Sequence, residues 1–159
     1  MQGRRHHLRK DEAKGLSAAV GKKLPALLGI LQNDVEIVML DQETELIFAG
    51  GKETLAKIKG EFVPTLTALD MARLKRVVVD MGAVPHLANG ADVMAPGIVF
   101  ADDGIKAGEI VEVSDERHAK PIAVGLALVD GTQMKGGKGR AVKNIHHVGD
   151  KIWKALRKG

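Results

Sequence analysis

The 159-residue sequence contains no cysteine. That absence removes disulfides, thiolate zinc sites and thiol nucleophiles together. It agrees with a reducing compartment, so a cytoplasmic location is expected. Aromatic residues are scarce: three Phe, one Trp and no Tyr. This weighs against a sheet that stacks several RNA bases on aromatic rings. No apolar run approaches the roughly 20 residues of a membrane helix. The opening Met-Gln-Gly-Arg-Arg-His-His has no apolar stretch behind it. Neither a secretory signal nor a membrane partner is therefore expected. Serine occurs only as Ser17 and Ser114, neither within a Gly-x-Ser-x-Gly elbow. The glycine-rich Gly136-Gly137-Lys138-Gly139 lacks the spacing of a phosphate-binding P-loop. An enzyme has little to stand on here, and no cofactor is expected.

What is present is a chain 45% hydrophobic, enough to build a core in one ordinary domain or two small ones. Its net charge of +4 is unevenly distributed. Residues 1–29 carry +5, 30–70 carry −5, 71–76 carry +3, 77–130 carry −6 and 131–159 carry +7. Basic charge gathered at both ends and at one internal joint suits a polyanionic partner such as RNA, although solvated surface lysines give the same pattern.

The hydrophobic pattern divides the chain into a small α+β part, 1–75, and a part of short strands, 76–159. In the first, Arg5–Arg9 reads as a short strand or arm. Asp11 reads as the cap of a helix carrying Leu16, Ala19, Val20 and Leu24. Val35–Leu40 and Glu45–Ala49 read as strands, and Thr54–Ile58 as a third. Pro64 is expected at the start of a helix running to about Leu74. In the second part, strands are expected at Val77–Asp80, Gly97–Phe100, Glu109–Val113, Pro121–Val129 and Ala141–His147. Val84–Gly90 is expected as a short helical turn closed by Gly90. The nearly all-apolar Pro121–Val129 should be central, and the evenly spaced short strands suggest a small, nearly closed barrel.

Single residues are ambiguous by themselves. His6-His7 and His146-His147 are adjacent, and neighbours on a strand face opposite ways, so no metal site is expected. His6, His86 or His146 would contact RNA or cap the core. Asp80 and Asp102-Asp103 suit turn fixing better than acid–base work. Gly82, Gly90 and Gly97 each fall where the chain changes direction. Each is a candidate for positive φ, or for close backbone approach by the fold itself or by a nucleic-acid strand.

Asp80-Met81-Gly82-Ala83-Val84-Pro85-His86-Leu87-Ala88-Asn89-Gly90-Ala91-Asp92-Val93-Met94-Ala95-Pro96-Gly97-Ile98 resembles the signature of the PUA domain. Ala123-Val124-Gly125 and Lys138-Gly139-Arg140-Ala141-Val142 are similar to that domain's later segments, in the same order. Pro64-Thr65-Leu66 and Asn144-Ile145-His146-His147-Val148-Gly149-Asp150-Lys151-Ile152-Trp153 resemble the malignant T-cell amplified sequence family. The resemblance covers nearly the whole chain, as a stand-alone archaeal-type member also similar to the N-terminal half of ligatin-type factors. It implies a pre-PUA α+β domain followed by a PUA pseudo-β-barrel. It also implies RNA binding without catalysis, on tRNA or ribosomal RNA. The expected RNA-contacting residues are Gly82, Ala83, Val84, Pro85, Gly90, Ala91, Met94 and Gly97. Lys135, Lys138, Arg140 and Lys143 are the expected phosphate partners, and Arg4 and Arg5 would add contacts. Eukaryotic relatives act on the small ribosomal subunit with a SUI-domain partner, which here would be a separate protein. Two other roles suit the same residues: an RNA-targeting accessory of a tRNA or rRNA modification enzyme, and a protein–protein module of the initiation machinery.

Overall fold

A computed structural model describes residues 5–32 and 34–158. The chain divides between Arg73 and Leu74 into two compact units, and the residues from Ala155 onward group with the first.

In the first unit, strand β1 (Arg5–His7) leads into helix α1 (Lys10–Lys23). The helix begins one residue before Asp11. The Glu12 carboxylate reaches back to accept the Arg9 N–H at 3.0 Å, so the cap forms at Arg9 instead of Asp11. Asp11 and Glu12 in the first turn and Lys22 and Lys23 in the last both suit the helix dipole. Strands β2 (Val35–Asp41), β3 (Thr44–Ala49), β4 (Lys52–Ile58) and β5 (Glu61–Pro64) follow. They form an antiparallel meander in the order β1-β2-β3-β4-β5. The β4–β5 turn places Lys59 and Gly60 at φ 49° and 83°, as a two-residue hairpin requires.

Pro64 does not open a helix. It closes β5 opposite Leu55, on a strand paired on one side only, where a missing N–H is tolerated. A 3-10 turn (Leu66–Ala68) and the single-turn helix α2 (Leu69–Ala72) come next. α2 stops short of Leu74 because Arg73 is left-handed, with φ 51° and ψ 50°. Leu24, Leu27, Leu46, Ile47 and Leu55 are fully or almost fully buried within this unit.

In the second unit the elements are β6 (Arg76–Val79), α3 (Val84–Ala88), β7 (Val93–Met94), β8 (Ile98–Ala101), β9 (Ile110–Asp115), β10 (Pro121–Ala127) and β11 (Arg140–His147). Helix α4 (Lys151–Lys158) begins here. The strand order is β7-β11-β10-β9-β6-β8, and among the described residues only the β6–β9 pair is parallel. The sheet forms a nearly closed pseudo-β-barrel around Val77, Val79, Leu87, Val111, Val113 and Ala123. β10, read as central from its apolar run, lies between β9 and β11 and is buried along most of its length.

Candidate nucleic-acid interface

The candidate surface is built around α3. Asp80 Oδ1 accepts the Ala83 N–H at 2.9 Å and starts the turn, the structural role expected of this aspartate. Pro85 sits in the first turn, where no N–H is needed. The helix closes at Gly90 with φ +93°, its N–H bonded to Leu87 O at 3.0 Å, while Ala91 N–H bonds to His86 O at 3.0 Å. Gly90 alone among Gly82, Gly90 and Gly97 has positive φ. At Gly97 the relevant constraint is proximity: a Cβ there would lie 3.4 Å from Ala83 Cβ.

From Ala91 the chain is clasped to the edge of the barrel sheet. Asp92 Oδ1 accepts the Asn144 N–H at 2.9 Å, and Asp92 Oδ2 accepts from Arg140 Nη1 at 3.0 Å. Asn144 Nδ2 donates to Leu87 O at 3.1 Å and to Ala91 O at 2.9 Å. β7 pairs with β11 through Met94 opposite Arg140 and Val93 opposite Val142. One carboxylate therefore fastens the α3–β7 loop, caps a β11 N–H that short β7 does not reach, and orients a cation. Asp92→Ala should destabilise the barrel unit by about 1–3 kcal/mol, because the Asn144 N–H loses its acceptor. Asp92→Asn keeps an acceptor and should cost less; urea unfolding of both variants checks the order.

The cations arrive on the loop before β11 and on β11 itself. Met134 is fully buried and anchors that loop. Gly136 and Gly139 have φ +80° and +74°, and Ala95 N–H bonds to Gly139 O at 2.8 Å. Lys135, Lys138, Arg140 and Lys143 are all exposed. Arg140 is shared with Asp92, whereas Lys135, Lys138 and Lys143 have no acidic partner within 4 Å among the described residues. Met94, opposite Arg140, is 48% exposed. The structure thus joins Pro85, Gly90, Ala91, Met94 and Arg140 through the α3–β7–β11 clasp, and Ala83 with Gly97 at the start of α3. Val84 is half-buried against the barrel core, and Gly82 lies exposed in the turn before α3.

The remaining sequence candidates lie elsewhere. Arg5 belongs to the first unit, with Nη1 2.8 Å from Glu36 Oε2 and its guanidinium 4.9 Å from the Phe48 ring centroid. Arg4 lies outside the described residues. His146 is fully buried, so of its two expected roles it takes the core one, with Nδ1 2.8 Å from Asp150 Oδ2. His7 carries a pattern the sequence did not signal. Its Nε2 is 3.6 Å from Asp34 and its Nδ1 3.6 Å from Glu36. The Asp92–Asn144 clasp was also missed, and polar residues inside an otherwise apolar strand were its only sequence signal.

Residues 75–149 match the family model for the PUA domain. A conserved PUA domain protein from Thermoplasma acidophilum has the same fold with a TM-score of 0.71. It is 30% identical, with 96% of this chain and 99% of that one covered. The chain belongs to the PUA-domain proteins. Its likeness to an uncharacterized protein of Methanocaldococcus jannaschii is 48% identity, over 77% of this chain and 76% of the relative. It is similar also to malignant T-cell-amplified sequence 2 of Homo sapiens, at 27% identity over 92% of this chain and 88% of the relative. Translation machinery-associated protein 20 of Schizosaccharomyces pombe is 33% identical over 61% of this chain and 58% of its own length.

Proposed function

We propose that this protein is a noncatalytic RNA-binding protein of the translation machinery, and that its barrel unit grips RNA phosphates. The observation that carries the reading is the run Lys135, Lys138, Arg140 and Lys143. These four exposed cations lie on and before the strand that α3 and β7 are clasped to, and three of them lack an acidic partner among the described residues. Unpaired lysines at a surface attract a polyanion and release its counterions on binding. The glycine turn at Gly90, the small Ala91 and exposed Met94 leave room for a strand to lie against them.

Membership of the PUA-domain proteins supports RNA as the polyanion, and the name of the fission-yeast relative, translation machinery-associated protein 20, supports translation as the setting. Neither serine is available as a nucleophile. Both are buried, Ser17 donating to Leu28 O and Ser114 to Glu112 Oε2 at 2.8 Å. In this reading the RNA is tRNA or ribosomal RNA, the assembly is the small ribosomal subunit in the cytoplasm, and a SUI-domain protein is a separate partner. Equilibrium binding to deacylated tRNA with and without its 3′ end, beside cosedimentation with small subunits, tests the assignment. Micromolar or tighter binding that depends on the 3′ end or the subunit is expected. Failure to bind either would remove translation from the account.

A further inference from the structure

The lysines of the first unit play no part in the reading above. Helix α1 turns Ala13, Ser17 and Val20 inward. It leaves Lys10, Lys14, Gly15, Ala18, Ala19 and Lys22 exposed. Other cations nearby are neutralised locally. Arg9 Nε is 3.3 Å from Asp11 and 3.4 Å from Glu12, and Lys23 is 3.1 Å from Glu61. Lys10, Lys14 and Lys22 have no acidic partner within 4 Å among the described residues. At the rise of an α-helix, Lys10 and Lys14 are about 6 Å apart along the axis, and Lys14 and Lys22 about 12 Å.

Gly15 stands on the same outward side. A Cβ placed on it meets nothing within 4 Å, and its φ is not positive. Neither packing nor backbone conformation within the chain calls for glycine there, yet glycine is the poorest helix former after proline. Gly15 therefore leaves the exposed side of α1 without a side chain at this turn.

We propose that the outward face of α1, with Lys10, Lys14 and Lys22 around Gly15, is a further docking surface for the phosphodiester backbone of RNA. This rests on the RNA-binding reading of the barrel unit and adds a second, independent set of cations to it. Charge complementarity selects a polyanion, and the small Gly15, Ala18 and Ala19 let its backbone approach closely. A lipid surface is the poorer fit: binding in the membrane interface needs an exposed apolar face, and the apolar side of α1 is buried in its own unit.

The test uses the full chain and deacylated tRNA at several salt concentrations, with thermal melting of every variant. Lys14→Glu with Lys22→Glu is expected to weaken binding at least about tenfold at low salt, and to lower the slope of log affinity against log salt by about 0.7–0.9 per lysine. Gly15→Gln is expected to raise the melting temperature and still weaken binding. Lys138→Glu with Lys143→Glu is the barrel comparison. The α1 surface is overturned if that barrel variant loses affinity while both α1 variants bind as wild type, and the barrel reading then stands. If the wild type binds neither tRNA nor small ribosomal subunits at any salt, both readings fall together. If the α1 variants lose binding only to vesicles of equal parts phosphatidylglycerol and phosphatidylcholine, the face belongs to lipid and the proposal is wrong.

Discussion

Gly125→Ala should cost the barrel unit on the order of 3 kcal/mol, at the upper end of the overpacking range. That corresponds to a melting temperature lower by roughly 12–24 °C for a unit of this size. A Cβ on Gly125 would lie 2.4 Å from the Lys143 carbonyl oxygen and 2.5 Å from Val142 Cγ1. The carbonyl belongs to β11 and cannot swing aside as a side-chain tip would. The register between β10 and β11 shifts between Val124 and Gly125, so the ladder is already irregular at this point. Gly82→Ala is the matched control. Its new Cβ would meet only Asp80 Oδ1, at an ordinary 3.4 Å, and a change within about 0.5 kcal/mol is expected. Equal melting temperatures for the two variants would contradict the packing described for β10 and β11.

The second large effect is expected at Asp150, which directly precedes α4. One carboxylate serves three donors there. Oδ1 accepts the Trp153 N–H at 2.8 Å, and Oδ2 accepts the His147 N–H at 2.9 Å and lies 2.8 Å from His146 Nδ1. Its side chain is only 14% exposed. Loss of the helix cap and of the acceptor for a fully buried histidine together should make Asp150→Ala cost about 2–4 kcal/mol. The pH dependence has a definite sign. Burial pushes the Asp150 pKa upward. The His146 hydrogen bond and charge, with the Trp153 and His147 N–H groups, outweigh it and leave the pKa below the ordinary aspartate value. A lowered folded pKa means that the unfolded chain binds the proton more readily. The contribution of Asp150 is therefore complete above about pH 4, the ordinary aspartate value, and is lost as acid takes the pH down through the folded value. The stability gap between wild type and Asp150→Asn should be full at pH 6 and close in stronger acid. A gap that widens on acidification would reverse the assigned sign.

The elements legible in the sequence were those with sustained pattern. The alternation of β9 and the continuous apolar run of β10 placed both strands, and the polar or Gly-Gly breaks separated β2, β3 and β4. The misses have local causes. β7 has two residues and β5 ends on a proline that equally suits a helix start. The β4–β5 turn uses Lys59 in a conformation usually signalled by Asn, Asp or Gly. The candidate surface was partly legible in the same way. The stretch Asp80–Ile98 and the basic tail stand out locally. The clasp that joins them is made by Asp92 with Arg140 and Asn144, residues 48 and 52 positions away, and no periodicity reports such a distance. Charge counting likewise cannot separate Arg140, shared with Asp92, or Arg5, held by Glu36, from lysines left unpaired.

The central claim is that cations on and before β11 hold RNA phosphates. The most direct measurement is the affinity for deacylated tRNA across a salt series, for wild type and for Lys135→Glu with Lys138→Glu and Lys143→Glu. Wild-type affinity should fall linearly on a log–log plot. The triple variant should bind at least about a hundredfold more weakly at low salt, with a slope smaller by about 2–3 for its three lost phosphate contacts, while melting as the wild type does. Salt-insensitive binding, or a folded triple variant with wild-type affinity, would contradict the claim.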